Sequence, residues 1–279
     1  MKKNVLLALV CCFLGLVSCK NSYQRLLKSG DYQLKYTKAI AFYTDKKYDK
    51  AAPLLEELMA VYRGTEKAEQ VYYYYAYNEY KQTNYLLASY HFKTYCSTFP
   101  KSERLEEMSF MYAYCLYKES PEYSLDQSST LKAVEALQLF ANKFPASTRL
   151  KECNELVDKL RDKLEKKAYE SAMLFYQMDD YRAAAVALQN ALKEYPDIDD
   201  REYLEFLVVE SYYNFALNSI PEKQLERYEK ALDSYKYFSE NFSKSQYLKE
   251  AKKYSEKSKK EINRLEILEK TSKNIVVGS

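Results

Sequence analysis

Residues 181–196 read YRAAAVALQNALKEYP. The stretch holds no glycine and stops on a proline, which lacks an N–H donor and disfavours helix in the residue before it. Its skeleton is an alanine (Ala184), a large apolar residue four places on (Leu188) and Pro196 twelve places on. The same skeleton recurs at Ala88, Phe92 and Pro100, and at Ala133, Leu137 and Pro145. A fixed spacing within one chain is the signature of a repeat array, and such arrays usually serve as binding scaffolds.

Aligned on this alanine, the chain yields five helix pairs, with Ala51, Ala88, Ala133, Ala184 and Ala231 on the second helices. Tyr48, Tyr85 and Tyr181 each stand three residues before one of them. Twelve residues upstream of the first, second and fourth sit Ala39, Ala76 and Ala172. For the third and fifth, the small residues Ala113 and Ser211 lie twenty upstream, so two pairs carry an eight-residue insertion. Residues 119–130 and 218–224 hold those insertions and are expected as loops, from their Pro, Ser, Asn and Asp. Where two helices touch closely only a small side chain fits, while Phe92, Tyr95, Leu137, Phe140 and Leu188 fill the groove to the next pair. Proline is expected to end each second helix, although Arg63 and Ser243 take its place in the first and fifth pairs. The pattern resembles the tetratricopeptide repeat, a helix–turn–helix of about 34 residues.

Residues 148–177 contain neither glycine nor proline, and Leu150, Leu156, Leu160, Leu164, Ala168 and Ala172 recur mostly at four-residue steps. This predicts one helix of about 45 Å. It joins three repeats in 31–147 to the rest of 148–270, which holds two repeats and a charged capping helix at about 245–270 with Tyr254, Ile262 and Leu265 as its apolar stripe. Residues 271–279 are expected as a frayed, flexible tail. The expected fold class is all-α, an α-solenoid of five tetratricopeptide-like helix pairs with a long connecting helix and a C-terminal capping helix. Four glycines and six prolines in 279 residues are too few for a strand-rich fold.

The front of the chain reads as a secretion signal. Lys2 and Lys3 precede an apolar run from Val5 to Val17, too short to span a membrane comfortably, which ends Leu16-Val17-Ser18-Cys19. Two aliphatics, a small residue and a cysteine resemble the bacterial lipoprotein signal, 1–18, cut before a cysteine that carries a diacylglycerol and an N-acyl chain. Cys19 is then the lipidation site, and 19–30 a short polar tether. Two or more acyl chains, at about 0.8 kcal/mol per buried methylene, anchor stably where one does not. The resemblance to Gram-negative lipoproteins implies that Lys20 after the cysteine, rather than Asp, favours the outer membrane over the inner one, with the body of the protein facing the periplasm.

Without residues 1–18 the chain carries 41 Lys and Arg against 40 Asp and Glu, so nothing suggests nucleic acid. His91 is the only histidine, no nucleophile motif accompanies it, and there is no glycine-rich phosphate loop or metal-ligand spacing. No catalytic residue, no metal and no cofactor beyond the lipid is expected. Cys96, Cys115 and Cys153 fit neither a disulfide framework nor a zinc pattern. Buried free thiols are the reading, with one disulfide plus a spare thiol the alternative.

In tetratricopeptide arrays the first helix of each pair lines the concave face, at the second, fifth, ninth, twelfth and thirteenth positions of the repeat. Here these give Tyr36, Ile40 and Tyr43, then Gln70, Tyr73, Tyr77, Tyr80 and Lys81, then Glu107, Phe110, Tyr114, Tyr117 and Lys118. The tyrosines and the two lysines form a candidate peptide-binding wall, because tyrosine offers large contact area, little entropy to lose and a polar tip. Lysine can take an acidic group or a chain-terminal carboxylate. The competing reading is inter-repeat packing, which a chain with 31 tyrosines and no tryptophan also needs.

The lipid signal, the five repeats and the long helix together resemble the BamD family of outer-membrane assembly lipoproteins. Residues 131–196 carry most of the likeness, with Ala133-Val134-Glu135-Ala136-Leu137, Phe144-Pro145-Ala146-Ser147, Leu160-Arg161-Asp162-Lys163-Leu164 and Ala172 to Tyr181, and it extends over most of 31–240. The resemblance implies a component of the β-barrel assembly machinery, or Bam complex. Its C-terminal repeats would bind the periplasmic domains of a BamA-like barrel subunit. Its N-terminal repeats would receive the C-terminal targeting peptides of nascent outer-membrane proteins, and other Bam lipoproteins would be neighbours. Two departures stand out: Ala183 to Leu192 has no charged residue for charge pairing with BamA, and the tail after 240 is longer and more basic than the family's. The alternatives are a repeat lipoprotein that coordinates cell-envelope or cell-wall enzymes, and a nutrient-binding lipoprotein, against which the small size argues. The anchor is directly testable: Cys19→Ala abolishes incorporation of labelled fatty acid, and continued labelling rejects Cys19 as the site.

Overall fold

Alanine, or serine once, stands buried at the aligned position of both helices in every pair. Ala39, Ala51, Ala76, Ala88, Ala113, Ala133, Ala172, Ala184 and Ser211 have no exposed surface, and Ala231 has almost none. In the computed structural model, which describes residues 22–277 and the side chains of 22–269 and 271, these contacts join an all-helical chain. Residues 1–21, with the signal and Cys19, lie outside the described residues.

Residues 22–28 form the described part of α1. There follow the pairs α2 (Tyr32–Thr44) with α3 (Tyr48–Val61), α4 (Ala68–Lys81) with α5 (Tyr85–Thr98), and α6 (Leu105–Lys118) with α7 (Ser128–Lys143). The long α8 (Leu150–Gln177) precedes α9 (Tyr181–Glu194), then come α10 (Arg201–Leu217) with α11 (Pro221–Asn241), and finally α12 (Leu248–Val277). Neighbours in sequence pack against each other throughout, as in a tetratricopeptide-like array. The chain forms two compact units that divide at Leu160–Arg161, inside α8 rather than at its start. In the first unit Phe92, Tyr95, Leu137, Phe140, Cys153 and Leu160 share one core, and Leu54, Leu55, Leu58 and Val71 another. In the second, Ala172, Leu188, Leu204 and Phe238 share the main core with Ala251 of α12.

The turns inside three pairs are alike. Lys46, Thr83 and Asp179 each take a positive φ of 58–63°. The N–H after each returns five residues, from Lys47 to the Phe42 carbonyl, Asn84 to Glu79 and Asp180 to Phe175. This is a Schellman closure with a non-glycine residue in the left-handed position, and it sets the short A-to-B spacing.

The second helices end differently from expectation. They stop one residue before an aromatic, at Phe99, Phe144, Tyr195 and Phe242, each with φ near −121 to −126° and its N–H bonded to the carbonyl four residues back. Phe242 precedes Ser243, not proline, and has the same geometry. The common element is the aromatic, which in three cases packs on the ring four residues earlier: Phe99 on Tyr95, Phe144 on Phe140 and Phe242 on Phe238, at 5.0–5.4 Å. Three residues after three of these caps, a serine reaches back to the glutamate opening its own repeat. Ser102 donates to Glu69, Ser147 to Glu106 and Ser245 to Glu202, at 2.8, 2.6 and 2.5 Å.

Four expected boundaries shift. Residues 221–224 are helix, not loop, because Pro221 sits at the first helical position, where its fixed φ suits the turn. The other insertion ends at Gln127, since 128–130 open α7. The expected tether is largely structured: Tyr23 donates to the Lys50 carbonyl at 2.9 Å and packs edge-on to Phe42, while buried Lys35 bonds both the Leu27 carbonyl and Glu57. Helix α12 begins at Leu248 and runs on to Val277, past the expected end near 270. Tyr254, Ile262 and Leu265 pack on α10 and α11 as its stripe predicts, aided by buried Ala251, Ser255 and Ser258.

Because the alanine contacts leave no room, Ala88→Leu is expected to destabilise the chain by about 1–3 kcal/mol through overpacking, measured by denaturant unfolding. The exposed control Leu86→Ala should change it far less.

Candidate functional site

Helices α2, α4 and α6 present most of the expected tyrosines on a shared face of the first unit. Tyrosine every third or fourth residue on one helix puts the rings on one side, and ring contacts between α2 and α4 and between α4 and α6 join those sides. The rings touch in succession: Tyr43 meets Tyr74, Tyr74 meets Tyr73, Tyr73 meets Tyr77, Tyr77 meets Tyr80, Tyr80 meets Tyr114, and Tyr114 meets Tyr117. Centroid separations lie between 4.8 and 6.4 Å, within the range of favourable aromatic pairs. All of these rings are half-buried, so each keeps some surface for a partner.

The structure separates some expected members. Tyr36 stands outside the run, with its hydroxyl on Gln70 at 2.5 Å, its ring edge-on to Tyr62 and Lys67 over both rings at 5.2 Å. Phe110 is core rather than surface, nearly flat on Tyr114 and edge-on to Phe140. Ile40 is half-buried. Lys81 and Lys118 are exposed; Lys81 lies over its neighbour Tyr80 at 5.5 Å, and Lys118 lies over Tyr85 of α5 at 5.6 Å.

Two cations that the repeat positions do not pick out lie at this face, one on a ring of the run and one on the core ring behind it. Arg104 stacks over Tyr73 at 4.7 Å and Arg149 over Phe110 at 4.4 Å. Both occupy the residue just before a first helix, two places after a latch serine whose Oγ accepts their backbone N–H. The recurring Ser-x-Arg of Ser102-Glu103-Arg104 and Ser147-Thr148-Arg149 is the signal that identifies them.

Glu107 is the acidic member of the face. It accepts the Tyr77 hydroxyl, and burial together with this carboxylate drives the Tyr77 pKa well above its ordinary value. Burial, aided by neighbouring tyrosines, pushes Tyr43 up to about 12, and burial also raises Tyr73 and Tyr80. These phenols stay protonated at neutral pH and can donate hydrogen bonds. The face therefore offers π surface, hydroxyl donors and guanidinium or ammonium groups at its margin. That set suits an aromatic side chain and a carboxylate better than a cation.

Elsewhere the described residues give little chemistry. His91 is buried between Tyr75 and Tyr90, with Nδ1 lacking a hydrogen-bond partner. Cys96, Cys115 and Cys153 are free thiols; burial pushes Cys115 up to about 12, and the Cys153 thiol donates to the Leu137 carbonyl. Among the described residues no group of three His, Cys, Asp or Glu could hold a metal ion. No described helix is long and apolar enough to cross a membrane.

A family model described as outer membrane lipoprotein, YfiO, matches residues 30–225. No curated protein matches the chain.

His91 makes this unit acid-sensitive. Burial lowers its pKa from 6.5 to about 4. The unfolded chain takes up the proton below about 6.5 while the folded chain resists it to about 4, so stability present above 6.5 is lost as pH falls toward 4. After discounting for partial solvation, the expected loss from pH 7 to 5 is about 1 kcal/mol, and His91→Phe removes this component in denaturant titrations at the two pH values.

Proposed function

The chain belongs to the YfiO family of outer membrane lipoproteins, and on that premise we propose that it is a scaffold of the β-barrel assembly machinery, not an enzyme. Acyl chains on Cys19 hold it to the outer membrane, with the helical units in the periplasm. The first unit receives the C-terminal segments of nascent outer-membrane proteins. The second docks on the periplasmic domains of a BamA-like barrel subunit, near other lipoproteins of the complex.

The observation that carries the peptide-binding part is the continuous aromatic run from Tyr43 to Tyr117, with Arg104 stacked on Tyr73 and Arg149 on Phe110, the ring beneath Tyr114. A targeting segment that ends in an aromatic residue and a carboxylate meets both chemistries there. Stiff tyrosine rings already held by their neighbours lose little entropy on binding, and the cations give the carboxylate a direction. Tyr73, Tyr77, Tyr80, Tyr114 and Tyr117 are the proposed stacking surface. Lys81 and Lys118 are outer cations. Tyr43 extends the wall toward the first repeat, and Tyr36 stands beyond its end.

One feature favours the alternative, an adaptor for cell-envelope or cell-wall enzymes. The surface of α9 has no charge between Ala183 and Leu192 and exposes half of Val186, so a partner held by ion pairs has no purchase on it.

A photo-crosslinking residue at Tyr117 is expected to give adducts with nascent barrel proteins in cells, and one at Leu86 on α5 to give none. Adducts at Leu86 without any at Tyr117 reject the site. Co-purified cell-wall enzymes in place of a barrel subunit would favour the adaptor.

A further inference from the structure

Helix α1 joins the first repeat immediately beyond the expected anchor. The described chain begins at Ser22, three residues after Cys19, and three residues span at most about 11 Å. From there the backbone is pinned. Tyr23 bonds the Lys50 carbonyl and packs on Phe42, and the Leu27 carbonyl accepts from Lys35, whose ammonium also pairs with Glu57 at 2.6 Å. With Cys19 acylated, this end of the repeat has no slack with which to stand away from the bilayer.

The same end is basic. Residues 22–50 hold seven Lys and Arg against three Asp, whereas residues 51–250 hold 25 Lys and Arg against 33 acids. Arg25, Lys28, Lys38 and Lys46 are exposed and form no ion pair among the described residues. Lys47 pairs with Asp45, and Lys50 lies over the Tyr23 ring at 5.9 Å. Between them opens a cavity of about 570 Å³ whose lining includes Leu26, Leu34 and Phe42 as apolar wall and Arg25, Lys38 and Lys47 as cations. Apolar surface rimmed by cations matches a phospholipid, with a phosphate outside and a glycerol–acyl junction beneath.

We infer that the α1–α2–α3 end of the first unit is a membrane-docking surface for the anionic phospholipids of the leaflet that holds the anchor. The inference rests on the lipid-anchor reading of Cys19. Docking fixes the orientation of the repeats relative to the membrane, which the acyl chains alone do not. The distance available, about 11 Å, is comparable to the Debye length of about 8 Å at physiological salt, so these cations feel the surface charge.

The test uses the mature chain, residues 19–279, carrying Cys19→Ala and therefore no lipid. It is floated with vesicles of phosphatidylglycerol and phosphatidylcholine, and with phosphatidylcholine alone. Capture by the anionic vesicles only is expected, with release as salt rises from about 0.1 to about 0.5 M. The added changes Arg25→Glu, Lys38→Glu and Lys46→Glu should weaken capture about a hundredfold, with helix content unchanged by circular dichroism. No capture, equal capture by neutral vesicles, salt-insensitive capture, or equal capture of the charge-reversed chain overturns the proposal. So does loss of capture only when Lys252, Lys253 and Lys259 of the basic α12 are reversed instead. Fatty-acid labelling of the unaltered chain separates the two readings. Labelled protein whose unlipidated form ignores vesicles leaves the anchor standing and removes the surface; unlabelled protein removes both.

Discussion

Where two helices of a pair cross, their backbones come so close that only a methyl group or a serine hydroxymethyl fits. That steric limit, repeated at Ala39 and Ala51, Ala76 and Ala88, Ala113 and Ala133, Ala172 and Ala184, and Ser211 and Ala231, shapes every pair. A larger residue would push the helices apart and break the ring contacts on either side, because close-packed interiors transmit displacement. Phe92, Leu137 and Leu188, one turn beyond the alanines, bury their side chains in the cores so defined. The aromatic run depends on the same limit: Tyr77 and Tyr80 follow Ala76, and Tyr114 and Tyr117 follow Ala113.

Much of this was legible in the sequence because alanine spacing is a direct image of helix spacing. The fold class, the pairing and the long α8 follow from periodicity. What escaped is what depends on contacts far apart in the chain. Residues 22–28 read as polar tether, and only the buried ammonium of Lys35, bonded to the Leu27 carbonyl, shows why they are held. Arg104 and Arg149 project from the turns between repeats, where a rule based on first-helix positions does not look. Phe110 occupies a surface position of the repeat yet is core, because Phe140 and Tyr114 close over it. Proline follows the aromatic stop in three pairs, and Phe242-Ser243 shows the same stop without it.

Burying many tyrosines brings many hydroxyls that need partners. The chain meets this with carboxylates: Glu69 accepts from Tyr95, Glu107 from Tyr77, and Glu210 from both Tyr176 and Tyr254. Hydrogen bonds from Tyr95 and Ser102 hold the Glu69 pKa below its usual range, while burial drives Tyr176 and Tyr254 up. Each unit thus contains polar knots inside an apolar stack, which rigidify the rings. A rigid ring on the shared face of α2, α4 and α6 is a better partner for a flexible peptide than a mobile one.

The serine latch has a consequence for how such a scaffold can change. Glu69–Ser102, Glu106–Ser147 and Glu202–Ser245 staple the start of a repeat to its end, whatever lies between. In the third repeat the extra residues fall in 119–127, and in the fifth they lengthen α10 and α11, yet the staple and the aromatic stop persist. In these two latched repeats the added length therefore falls between the two contact residues of the pair, in the turn or in the helix ends beside it. New loops can be acquired at one rim without disturbing the stack, which makes that rim the evolvable edge of the molecule.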